Sequence, residues 1–209
     1  NYSEDEWSVA STPDRTIAIS RHEWRKGFTL PLRGGQLVGT NSGEFGGSLS
    51  WVATNGSTQA LSVSSPPVAA AQRGKDVFVA TGLAHLSLDS GEVLHLRADR
   101  AGYWKVLKTL QLGTAVMAAA APNNYNWPLA TTKEVIYVDL AAWKIRVAYE
   151  NPNWALLYAN SLVELRNGFL IGARRAVIRL RSDGGRYQED WLVPNLCRVQ
   201  VGASCQCRP

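Results

Sequence analysis

The chain has 209 residues, a net charge of +5 and a sequence pI near 9.3. Hydrophobic residues make up 45% and charged residues only 19%, enough apolar matter for a core and too little charge for a disordered chain. No apolar run reaches the roughly 18 residues that a membrane-crossing helix needs, so a soluble protein without a membrane span is expected, read as one domain over 1–209.

In chain order, the acidic start Glu4-Asp5-Glu6 reads as a solvated lead-in, followed by the strand Thr16-Ile17-Ala18-Ile19 after a turn at Pro13-Asp14. The stretch 34–56 carries strands around a Gly-rich turn. Gly43 to Gly47 lacks the Lys-Ser/Thr and helix of a phosphate loop, so a wide turn is expected there. Residues 74–92 (GKDVFVATGLAHLSLDSGE) and 167–185 (NGFLIGARRAVIRLRSDGG) share one plan. Each has a turn, an apolar strand, a gap, an alternating strand, and a turn with Asp and Gly. Val77, Val79, Leu86 and Leu88 align with Phe169, Ile171, Ile178 and Leu180. Residues 130–145 form a weaker copy.

The second turns fall at Asn55-Gly56, Asp89-Ser90-Gly91, Asp139-Leu140-Ala141 and Asp183-Gly184-Gly185, with Pro13-Asp14 marking a partial unit. From Asp14 the steps are 41, 34, 50 and 44 residues. A period near 40–45 with four short strands per unit predicts an all-β propeller of about five (four to five) four-stranded blades. One blade cannot bury both of its faces, and radial stacking buries them against neighbours. The alternative, a β-sandwich or jelly roll, uses about eight strands, against roughly fifteen short candidates here. The units at 74–92 and 167–185 resemble the repeats of bacterial regulatory propellers and of quinoprotein-like propellers. That resemblance implies a fold and no activity, because propellers host unrelated functions. No quinoprotein cofactor motif is present to carry over, and no cofactor is expected.

Motifs for catalysis are sparse. The sequence has no nucleophile elbow, zinc-protease helix or dinucleotide fingerprint. Asp89, Asp139 and Asp183 are expected to cap turns. Taking Asp89-Ser90-Gly91 as a hairpin loop pairs His85 with His95. Two such imidazoles are weak metal candidates that would need further ligands, and a structural role is expected. Arg175, Arg179 and Arg181 share a strand face, read as solvated. No Lys/Arg block appears, so nucleic acid is not the expected partner.

The aromatic loops are the expected binding elements. Asn123 to Pro128 and Asn151 to Trp154 are polar and aromatic, and the first falls where the repeat stretches to 50 residues. Tyr125, Trp127, Trp154 and Tyr158 are therefore expected to bind a protein or glycan partner. The leading reading is a non-enzymatic interaction propeller; the alternative is a carbohydrate-active hydrolase or lyase on the same fold. Cys197, Cys205 and Cys207 lie near the C-terminus. A local Cys197–Cys205 disulfide is expected, with an exported location to match.

Overall fold

The computed structural model describes residues 5–24 and 26–193 with side chains, and the backbone of 197–201 and 204–207. Its strands form antiparallel sheets, each a simple meander. Blade I is β3 (Gly27–Leu32), β4 (Gly35–Asn41), β5 (Gly47–Ala53) and β6 (Thr58–Leu61). Blade II is β7 (Pro67–Arg73), β8 (Asp76–His85), β9 (Leu88–Ala98) and β10 (Trp104–Gln111). Blade III is β11 (Val116–Ala119), β12 (Asn126–Thr131), β13 (Glu134–Asp139) and β14 (Lys144–Glu150). Blade IV is β15 (Ser161–Leu165), β16 (Gly168–Gly172), β17 (Val177–Asp183) and β18 (Arg186–Leu192). Two antiparallel pairs complete the described strands: β1 (Trp7–Ser11) with β2 (Ile17–Arg21), and β19 (Cys197–Val201) with β20 (Ser204–Cys207).

The sheets stack radially, which gives the propeller rather than the sandwich. β7 lies on β3, β4 and β5, and β11 lies on β7, β8 and β9. β1 lies on β15, β16 and β17 in the same way, so the β1–β2 pair takes a fifth radial position after blade IV. Each seam has its own apolar core. Leu37, Leu49 and Trp51 meet Val77, Leu94 and Leu96 between blades I and II. Ala80 and Val93 meet Trp127 and Leu129 between II and III. Ala130 and Val135 meet Phe169 and Ile178 between III and IV. Val9 meets Val163, Leu170 and Val177 at the last seam. The other face of blade I is different: Thr29, Gln36, Thr40, Ser48 and Thr58 are exposed there.

Glycines set how closely the seams approach. A Cβ on Gly82 would stand 2.1 Å from the Val116 carbonyl oxygen, and one on Gly172 would stand 2.4 Å from that of Trp7. Both glycines sit near one end of their strand, under the inner strand of the following blade.

The structure shifts the repeat phase inside blade II. β8 and β9 run 10 and 11 residues, and they turn at Leu86-Ser87. Asp89-Ser90-Gly91 is therefore strand, paired with Ala84, Leu83 and Gly82. The buried equivalents of Ile178 and Leu180 are Leu94 and Leu96, not Leu86 and Leu88. The true outer turn begins at Asp99, whose carboxylate accepts the Ala101 and Tyr103 N–H groups at 3.0 Å. Asp139 caps its turn in the same manner. With Asp99 in place of Asp89, the steps of 34 and 50 become 44 and 40, and the apparent insertion near Asn123 disappears.

The register sets Cys197 across from Cys207 and Gln200 across from Cys205. The expected Cys197–Cys205 disulfide lies outside the described side chains.

Candidate functional site

A meander places its connections alternately at two ends. The top face carries the blade-to-blade connections and the β4–β5, β8–β9, β12–β13 and β16–β17 turns. The bottom face carries the remaining hairpins. The predicted aromatic residues divide between these ends. Tyr125 is at the bottom, 58% exposed, with the Arg73 guanidinium 5.3 Å from its ring centre. Tyr158 is at the top, with Arg174 at 4.1 Å. Trp127 and Trp154 are not presented at all. Trp127 is strand residue 1% exposed, paired with Val138, and its indole N–H donates to the Ala120 carbonyl at 3.0 Å. Trp154 is 3% exposed and donates to Glu189 at 3.3 Å. Their large apolar area fills the seams, so they cannot act as contact residues.

The two histidines also separate. His85 pairs with Leu88 and His95 with Phe78, because the hairpin turns at Leu86-Ser87. The expected His85–His95 pair is thus corrected. His95, toward the bottom, stacks on Phe78 at 4.9 Å and contacts Asp76 at 2.6 Å. Asp76 also takes the Arg97 guanidinium through bonds of 2.7 and 2.8 Å. Burial pushes the Asp76 carboxyl up, but the bonds from His95 and Arg97 outweigh it and hold it below the usual range. His85, at the top, contacts Glu44 at 2.6 Å. Among the described residues, no cluster of three His, Cys, Asp or Glu is arranged to hold a metal ion.

The His85–Glu44 contact joins the short 3₁₀ turn Gly43–Phe45 to the tip of the β8–β9 hairpin. Phe45 is 85% exposed and Leu86 is 93% exposed, with Leu88 exposed beside it. Leu86 holds φ 52, a left-handed conformation that turns normally assign to Gly, Asn or Asp. The sequence does not reveal this rim, because Leu86 and Leu88 fit an alternating buried strand.

Below the tip the top face is polar and tied. Asp89 accepts the Ala115 N–H at 2.7 Å and the Thr132 hydroxyl at 2.9 Å, binding blade II to blade III. Buried Glu92 accepts from Ser64 at 2.5 Å and from Gln111 at 3.0 Å. Burial is the main cause that pushes the Glu134 carboxyl up, with Glu150 and Asp89 adding to it. Between β7 and β11 lies a cavity of about 340 Å³ lined by alanines of both strands with Gln72, Pro122 and Trp127, none of them an acid, base or nucleophile. The arginine stripe is partly neutralised: Arg179 and Arg181 both bond Asp190, at 3.1 and 2.8 Å.

A third histidine completes the top face. Ser8 Oγ lies 2.7 Å from His22 Nδ1 and 3.3 Å from Asn160 Oδ1. Ser8 pairs with Ser20 in the β1–β2 hairpin, so His22 is its diagonal neighbour across the strands. Asn160 comes from blade IV. Extending the antiparallel register from Pro13-Asp14 would have shown the Ser8–His22 proximity in the sequence; the arrival of Asn160 had no sequence signal.

No protein-family profile matches the chain, and no curated protein matches it in sequence. The solved structure of a streptogramin B lyase is similar over 92% of this chain and 84% of that one, at 9% identity and a TM-score of 0.43. The likeness concerns the course of the backbone and brings no functional residue with it.

Proposed function

We propose that this propeller is an interaction module that docks a protein partner on its top face. The supporting observation is the apolar rim of Phe45, Leu86 and Leu88, held by the His85–Glu44 contact. Leucine at a left-handed hairpin tip costs conformational energy and buries nothing within the chain. Exposed apolar groups gathered into one patch, unlike singly scattered ones, mark interaction sites. The aliphatic tip favours a protein over a glycan, because sugars stack on flat aromatic rings. Tyr158 is the predicted loop aromatic that shares this face.

A photoreactive amino acid at position 86, compared with one at exposed Tyr103 on the bottom face, tests the reading in the native cell. A saturable adduct at position 86 that Phe45→Asp removes is the expected result. Equal adducts at both positions, or adducts insensitive to Phe45→Asp, overturn it.

A further inference from the structure

We propose that the cavity between β7 and β11 binds a small carboxylic acid with an apolar body, whose carboxylate pairs with the Arg73 guanidinium at the bottom face. The inference goes beyond docking and does not depend on the apolar rim.

The space follows from the sequence of two strands. The first strands of blades I and IV fill their seams with large side chains, among them Leu30, Leu32, Leu162 and Leu165. At the same depth β7 and β11 supply only alanine, with Ala69 and Ala119 packed on one seam core. A cavity of about 340 Å³ is left between them, running from Ala69–Gln72 on one side to Ala119–Pro122 on the other. Its two polar side chains already donate within the chain, Trp127 to the Ala120 carbonyl at 3.0 Å and Gln72 to the Gly74 carbonyl at 2.9 Å. An apolar enclosure of this size with one placed polar group beside it is the usual form of a small-molecule site.

That polar group is Arg73. It ends β7 directly after Gln72, and its guanidinium lies over the Tyr125 ring of the β11–β12 hairpin, across the same gap between blades II and III. Arg73 is half-buried, and among the described residues no carboxylate or carbonyl takes its donors. The neighbouring acids are engaged elsewhere. Asp76 holds His95 and Arg97, and Asp139 accepts the Ala141 and Ala142 N–H groups. The mouth is therefore a fixed cation with a planar fork of free N–H groups, which matches a carboxylate. A cationic ligand meets repulsion there, and a neutral one leaves the fork unpaired.

The test is isothermal titration of the intact chain with acetate, butanoate and hexanoate. Saturable binding is expected, tightening about fourfold for each methylene added. Arg73→Gln should weaken hexanoate by about 10-fold or more and bring it level with hexan-1-ol. Ala69→Leu should abolish binding by filling the space, with a melting curve to confirm folding; exposed-side Arg73→Gln decides the matter if that variant does not fold. Phe45→Asp leaves hexanoate binding intact, which separates this site from the docking rim. Wild-type protein without saturable binding of hexanoate overturns the proposal. Equal affinity for acetate and hexanoate does so too, since it shows ion pairing without the cavity, as does wild-type affinity in Arg73→Gln. An N-acetylated tripeptide ending in leucine that binds about 10-fold or more tighter than hexanoate assigns the site to a chain terminus and overturns the small-acid reading.

Discussion

Tyr149 on blade III donates its phenolic hydrogen to Glu189 on blade IV at 2.6 Å, joining the outer strands of neighbouring blades. The same carboxylate accepts from Asn151 at 3.0 Å, from Trp154 at 3.3 Å, and from the Trp191 indole. Burial pushes the Glu189 carboxyl up, and these four bonds outweigh it and hold it below its ordinary 4.5. A group depressed in the folded state stabilises above its unfolded pKa and loses that contribution as pH falls through the folded value. Asp76 is depressed as well, so both groups act in the same direction. The melting temperature should fall as pH drops below about 4.5 toward the depressed values, and Glu189→Gln should flatten part of that fall. Burial and the Glu189 bond push the Tyr149 phenol up to about 12, so its contribution is present below pH 10 and lost as pH rises through 12. Thermal melts across pH check both limbs. An acid limb unchanged by Glu189→Gln would exclude this carboxylate as its source.

Trp127→Ala should cost about 3–5 kcal/mol of stability in urea unfolding, because it empties a seam core. It should act through folding and not through partner contact, the reverse of what a loop aromatic would do. A Trp127→Ala protein with near-native stability and lost docking would contradict the seam placement.

Leu86→Asn should raise the unfolding free energy by up to about 1 kcal/mol, since Asn tolerates the left-handed turn better than Leu. The same change should weaken docking by removing the apolar tip. A variant that gains stability and loses docking separates the two effects; one that keeps full docking shows that Leu86 is not part of the contact.

Gly82→Ala should destabilise by about 1–3 kcal/mol, because the added carbon meets the Val116 carbonyl and forces blades II and III apart. Ala at Gly56, which has no atom within 4 Å of an added Cβ, isolates the backbone cost of φ 83 as the comparison. Equal losses at the two positions would mean that seam contact adds nothing.

The repeating apolar strands and their period were enough to specify radial four-stranded sheets, because each sheet must bury two faces and has only its neighbours to do so. Val77, Val79, Phe169 and Ile171 were recognisable as core for that reason, and all are buried. The hairpin phase in blade II was not recognisable. Asp89-Ser90-Gly91 has turn composition, and only pairing with β8 and the bonds to Thr132 and Ala115 make it strand. That single shift moved Leu86 to an exposed tip, split His85 from His95, and removed the supposed insertion that had made Trp127 look like a loop residue. Exposure of an aromatic side chain depends on what stands across the seam, and Asn160 reaches Ser8 across 152 residues of sequence. Local sequence therefore set which residues form strands and their alternation, whereas the order of blades around the axis decided which side chains meet at the top face.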